Sequence, residues 1–269
     1  MIRYEPFHCL SPHLCPRGGA LLTMAVRLAE GNTLLRLQWE ASIRQREEAE
    51  ALAAGEAARE HLPRLLRPLL GWVVSSIARD SYLRACHDGK RRGDAAEDAL
   101  LSHFVNALAD DPAEWLVLRR VVLQRRQDLR PLELDIVTLG PAGIAITETK
   151  AWTGQIHLTD STAYIFRQGR WEERKSPLAQ LRAAAGLVIG LIAEAGLPYI
   201  PVHTSVCFPW AQEAPALEIS PKEAARCPVF WGRTAGEDLA KTLLSLPRYQ
   251  IDMDAILQAL HRGGLQLAA

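Results

Sequence analysis

The stretch LELDIVTLGPAGIAITETK, residues 132–150, constrains this chain more than any other. Two apolar runs flank Gly140-Pro141-Ala142-Gly143, a turn composition, so the stretch reads as an antiparallel hairpin. Counting outward from the turn puts Leu139 opposite Ile144, Val137 opposite Ile146, and Asp135 opposite Glu148. Directly opposed residues have Cβ atoms about 4.5–5.5 Å apart. Side chains alternate along a strand, so Glu133, Asp135, Glu148 and Lys150 are expected on one face. Leu134 and Ile136 line one side and Val137, Ile144 and Ile146 the other, which implies central strands buried on both faces. Two opposed carboxylates in such a place repel one another and lose hydration. Such a pair wants a cation, and oxygen ligands suit a hard divalent ion such as Mg²⁺ or Mn²⁺. A plainer reading stays open: ordinary charged strand ends, with Lys150 paired to Glu133.

The rest of the chain supplies helices and further strands. Residues 33–62 read as one long helix ending before Pro63, charged on every face in its middle. Residues 65–86 read as a second helical stretch broken near Pro68, and HDGKRRGD, residues 87–94, as a basic linker. A helix is expected over 93–110 and a strand over 114–126. Short antiparallel strands follow in 154–158, 163–168 and 170–175. SPLAQLRAAAGLVIGLIAEAG begins a helix with Ser176 as N-cap and Pro177 in its first turn. Strands at 200–208 and 227–231 and two closing helices complete the pattern. This alternation predicts a mixed central sheet covered by helices, preceded by a helical N-terminal region. The expected division is an accessory region over 1–88 and a domain over 89–265.

Two helices place polar residues where apolar ones belong. Leu101, Phe104 and Leu108 form a stripe, and extending it backward lands on Glu97. Leu187 and Leu191 form another, and extending it backward through Ala184 reaches Gln180. Polar groups at core positions mark a function or a satisfied buried network.

At these residues the sequence resembles the nuclease-related domain family, part of the PD-(D/E)XK, restriction-endonuclease-like group. GDAAE resembles its opening helix motif, LELDIV its acidic strand, ITETKAWTGQI its E-x-K strand with the aromatic and glycine that follow, and SPLAQ its proline-to-glutamine helix start. The resemblance covers about residues 89–212. It departs at Leu134, where the wider group has proline, and at Ala184, where several relatives have tyrosine. It implies a restriction-endonuclease-like α/β fold and a nuclease dependent on Mg²⁺ or Mn²⁺. Asp135 and Glu148 would hold the metal with the Thr149 carbonyl. Lys150 would orient or activate the attacking water, Glu97 would join through a second metal or water, and Gln180 would position Lys150 or the substrate backbone.

Composition bounds the partners. The chain has 31 basic and 31 acidic residues, so no global charge pulls it to nucleic acid or membrane. Any nucleic acid, DNA ahead of RNA, must be held by a local patch, for which Lys90, Arg91, Arg92, Arg119 and Arg125 are the candidates. Five irregularly spaced cysteines suggest reduced thiols and a cytoplasmic protein. HCLSPHLC, with His8, Cys9, His13 and Cys15, matches no established zinc spacing. No segment is expected to cross a membrane, since the run 65–78 is short and holds Arg67 and Pro68. The charged 44–60 helix is expected to serve self-association or a protein partner. The readings competing with a nuclease are a non-catalytic nucleic-acid or protein-binding module of the same fold, and a metal-dependent hydrolase of a small phosphorylated molecule.

Overall fold

Strand-forming runs separated by amphipathic helices produce two sheets in the computed structural model, which describes residues 26–30, 34–125 and 131–265. The central sheet has six strands in the order β1-β2-β3-β4-β8-β10. These are β1 (Val26–Glu30), β2 (Trp115–Leu123), β3 (Leu132–Gly140), β4 (Gly143–Thr149), β8 (Val202–Phe208) and β10 (Val229–Trp231). The middle pairs β2–β3 and β3–β4 are antiparallel, and the outer pairs are parallel, so the sheet is mixed. A second sheet, β7-β6-β5-β9, consists of β5 (Gln155–Thr159), β6 (Thr162–Arg167), β7 (Arg170–Lys175) and β9 (Ala216–Glu218).

The hairpin register is the one counted from the turn: Leu139 pairs Ile144, Val137 pairs Ile146, and Gly140 faces Gly143. Gly140 is required by a close approach. A Cβ there would lie 2.1 Å from the Trp115 ring.

Each face of the central sheet carries its own core. On one face pack α2 (Arg67–Leu108) and α5 (Ala235–Ser245), with Leu101, Phe104 and Leu108 meeting Trp115, Val117, Ile136 and Leu239. On the other pack α3 (Pro177–Glu194), α6 (Met253–Arg262) and the inner side of the second sheet, with Leu181, Val188 and Leu260 meeting Leu134, Val137 and Ile146. A short helix, α4 (Pro221–Arg226), precedes β10. The architecture is therefore α/β, a mixed sheet flanked by helices, with the α1–α2 helical region ahead of it.

Three features differ from the sequence reading. The 87–94 segment is not a linker: it is helical within α2, and Pro68 opens that helix rather than breaking it. Lys90, Arg91 and Arg92 are good helix formers there, and Ala95 and Ala96 follow, enough to carry Gly89 and Gly93. The expected boundary at 88 thus falls inside a continuous helix. Second, the N-terminal region is not only helical, because β1 adds a parallel edge strand beside β2. Third, α3, not the 65–78 run, is the described helix with the length and apolarity to cross a membrane. It nevertheless lays Leu178, Leu181, Ala184 and Val188 into the core. Helix α1 (Leu34–Glu60) packs along the first half of α2. His8, Cys9, His13 and Cys15 lie outside the described residues.

Candidate active site

The site forms where β3 and β4 leave the hairpin and the middle of α2 crosses them. Glu97 extends the Leu101–Phe104–Leu108 stripe and is buried, 9% exposed, at the end of the α2 core. Glu148, 2% exposed, ends β4 beside Thr149. Asp135 accepts a hydrogen bond from the Thr149 amide at 2.7 Å, which ties the two strands at the acidic pair. Lys150 donates to Glu148. The Thr149 hydroxyl is buried without a partner, an orphaned oxygen at the edge of the carboxylates.

The electrostatics follow from this crowding. Burial, then Asp135, raises Glu97 to about 7, and Arg119 pulls it back only in part. Burial and the Asp135 charge push Glu148 well above the carboxylate range against the pull of Lys150. Burial likewise raises Asp135, opposed by Lys150 and the Thr149 amide. Burial lowers Lys150, but Glu148 and Asp135 outweigh it and the ammonium is held above its usual value. The cluster is thus short of positive charge, as expected for carboxylates crowded away from water.

Arg119 and Arg120 answer part of that need. Both reach the same Glu97 oxygen, at 3.2 and 3.3 Å, and they also pair with Asp98 and Asp94. Successive strand residues ordinarily point to opposite faces. Here Arg120 has φ +53°, a left-handed backbone inside a strand. As a result Leu116 and Leu118 share a core with Val121 and Leu123, and the alternation slips at the arginines. A non-glycine residue in this region costs about 1–3 kcal/mol and persists only when its surroundings enforce it. The arginine pair on Glu97 is that enforcement. On β3 a matching slip puts Leu134 in the core of Val137 and Leu139, with Ile136 in the other core, so strict alternation does not hold through Asp135.

The remaining candidates separate. Gln180 is half-buried one turn into α3, whose N-cap is Ser176 as expected. The buried stripe of α3 runs through Leu181, Ala184, Val188 and Leu191, with Gln180 at its margin, and among the described residues no hydrogen bond joins Gln180 to the acidic cluster. Lys90, Arg91 and Arg92 are exposed on α2. Arg119 is committed to Glu97 and Asp98, and Arg125 to Glu194 on α3 at 2.7 Å. One contact had no sequence signal. The Trp39 indole of α1 donates to Glu133 at 3.2 Å, across 94 positions, and brings the N-terminal helices to the rim of the cluster. Among the described residues, no three His, Cys, Asp or Glu side chains converge into a ready-made metal cage. Cys86, Cys207 and Cys227 are free thiols.

Comparison with known proteins adds an assignment. No curated protein matches the chain. The crystal structure of protein VC1899 from Vibrio cholerae is similar at 15% identity and TM-score 0.33, over 73% of this chain and 50% of its own. The chain thus spans about half the length of that protein. The profile of the nuclease-related domain family matches residues 92–209, from the exposed arginines of α2 to the end of β8. That interval takes in Glu97, Asp135, Glu148, Lys150 and Gln180, and residues 92–209 carry a nuclease-related domain of the PD-(D/E)XK superfamily.

Proposed function

We propose that the domain is a nuclease that hydrolyses phosphodiester bonds of nucleic acid, DNA ahead of RNA, with Mg²⁺ or Mn²⁺. The observation that carries this reading is the half-buried Asp135 beside the buried Glu148, with Lys150 bonded to Glu148. All its donors are oxygens, which suits a hard cation. Mg²⁺ keeps several waters and is commonly held by one or two carboxylates plus the substrate phosphate, so a three-carboxylate cage is not required. Asp135, Glu148 and the Thr149 carbonyl would hold the ion. When bound, it would polarise the phosphoryl oxygen and acidify its water.

The chain's own groups have separate work. Lys150 places positive charge where negative charge develops on the phosphate and aims the attacking water. Glu97, which changes protonation near neutral pH, joins through a water or a second ion. Gln180, from the first turns of α3, positions the substrate backbone. The free thiols fit a reducing, cytoplasmic setting. The α1–α2 region is assigned to self-association or a protein partner, supported by the exposed Leu65, Trp72 and Ile77 at the start of α2 and just before it.

A second reading has a specific observation behind it. Glu97 already has two arginines and Glu148 already has Lys150, which is how a binding module that had abandoned metal would look. One experiment separates the two. Purified protein is incubated with single- and double-stranded DNA and RNA, with Mg²⁺, with Mn²⁺, and with chelator. Metal-dependent cleavage is expected. Binding with no cleavage under any metal condition establishes the module instead.

A further inference from the structure

The β6–β7 hairpin carries charge that the acidic centre does not use. Its turn end abuts the segment that leaves the site. Arg167 donates through Nε to the Thr153 carbonyl at 3.1 Å. Gly154, at φ +91°, packs so closely that a Cβ would lie 2.3 Å from the Phe166 carbonyl. Thr153 is three residues beyond Lys150, so the hairpin is anchored within about 10 Å of chain from that ammonium, at 3.3–3.6 Å per residue.

The cross-strand register sets the charge on one side of this hairpin. Arg167 is opposite Arg170, Glu172 opposite Ile165, and Arg174 opposite Ala163. Ala163 and Ile165 face the core, so the three arginines share the inward side of this hairpin. Arg92 of α2 completes the group: Arg92 and Arg174 add to burial in holding Arg167 below the usual guanidinium range, against the pull of Glu172. Among the described residues, the carboxylate paired with this group is Glu172, at 2.8 Å from Arg174 and 3.9 Å from Arg170. Arg92 itself donates to a backbone carbonyl, that of Asp88. Four guanidiniums around one carboxylate leave a strong excess of positive charge. Arg170 and Arg174 keep 75% and 53% of their side-chain surface exposed. At the same turn, on the outer side, Phe166 and Trp171 stack at 5.3 Å and remain exposed. Arginines that neutralise phosphate, next to exposed aromatic rings, are the combination by which nucleic-acid strands are held.

We propose that Arg92, Arg167, Arg170 and Arg174 form a clamp for the phosphate backbone of a nucleic-acid strand, seated between α2 and the β6–β7 hairpin and leading to Lys150. The clamp rests on the nuclease reading for its purpose and is tested apart from it, by binding without metal. Fluorescence anisotropy with a labelled 20-nucleotide single-stranded DNA in chelator follows affinity across a salt series for the full chain. Arg167→Ala/Arg174→Ala is expected to weaken binding at least tenfold and to flatten the slope of log affinity against log salt by about 1.4, since each single-strand phosphate contact contributes about 0.7. Arg170→Glu, at a side chain that is 75% exposed, is expected to weaken binding in the same direction. Lys241→Ala, on α5, is expected to change neither. Unchanged affinity and slope in both arginine variants would overturn the clamp even if the wild type cleaves. Clamp-dependent binding without cleavage would uphold the clamp and sink the nuclease reading. A wild type that binds no nucleic acid would overturn both.

Discussion

Lys150 and Asp135 lie in one cluster but make opposite demands on a metal. Asp135 supplies negative charge beside Glu148; on the nuclease reading, its loss would leave one carboxylate, already bonded to Lys150, and weaken the hold on the ion. Lys150 is a cation bonded to Glu148, and on the nuclease reading it would contribute only when charge develops on the phosphate. Lys150→Ala is therefore expected to lose roughly 10²–10³ in rate while still binding Mn²⁺, since it removes one transition-state donor. Asp135→Ala is expected to lose both. Calorimetric titration with Mn²⁺ beside a cleavage assay distinguishes them, and the thermal midpoint gives a second readout: Mn²⁺ should raise it for the wild type and leave Asp135→Ala unmoved. Full activity in Lys150→Ala would show that the hairpin is not the catalytic centre. Gly140 makes a residue-scale prediction of a different kind. Its missing Cβ is space taken by Trp115, so Gly140→Ala must displace a fully buried ring. A loss of about 1–3 kcal/mol in urea denaturation is expected.

Elements are joined here by a few buried polar ties, and the one at Asp111 shows their pH behaviour. Asp111 sits between α2 and β2, accepts from the Trp115 indole at 2.8 Å, and receives Arg248 on both oxygens at 2.9 Å. Burial pushes its carboxyl up, but Arg248, the Trp115 indole and the Ala113 amide outweigh burial and hold it below the usual range. The stability this contributes is full above the unfolded-state value near 3.9 and is lost as pH falls through the lower folded value. Asp111→Asn is expected to cost about 1.5–3 kcal/mol at neutral pH, toward the lower end because Arg248 is half-exposed, and to flatten the acid limb of a stability–pH curve. An acid limb identical to wild type would refute the assignment. Much at this scale was legible. Counting outward from the Gly140–Gly143 turn determined the β3–β4 register from residues close in sequence, and Glu97 stood out because a carboxylate interrupted an apolar helical stripe. The slip at Arg120 was not legible, because nothing local in LRRVV favours a left-handed residue; the carboxylates Arg120 pairs with, Asp94 and Glu97, lie more than twenty residues earlier. The same distance hid Trp39 on Glu133.

For the whole molecule, the N-terminal residues are structural partners of the domain. Strand β1 covers the open edge of β2, and α1 reaches the acidic rim through Trp39. Deleting residues 1–88 should uncover the five β2 residues that β1 pairs, Trp115 to Arg119, and sever α2 only a few turns before Glu97. Aggregation by light scattering is expected, where a separable accessory region would leave a well-behaved monodisperse remainder. The sequence suggested separability because glycines and charges interrupt apolar patterning at 87–94, yet solvent-facing charges are compatible with a helix that packs on both sides of the interruption.

Unbroken, α2 has mechanical meaning. Its 42 residues make a rod about 63 Å long, and Glu97 lies about 45 Å along it from Arg67. A lever of those proportions turns small rotations into large travel: a tilt of about 5° pivoting at Glu97 sweeps the far tip through about 4 Å. Run in reverse, the same ratio gears force at the exposed Trp72 end down to a fine adjustment of one carboxylate in the acidic cluster.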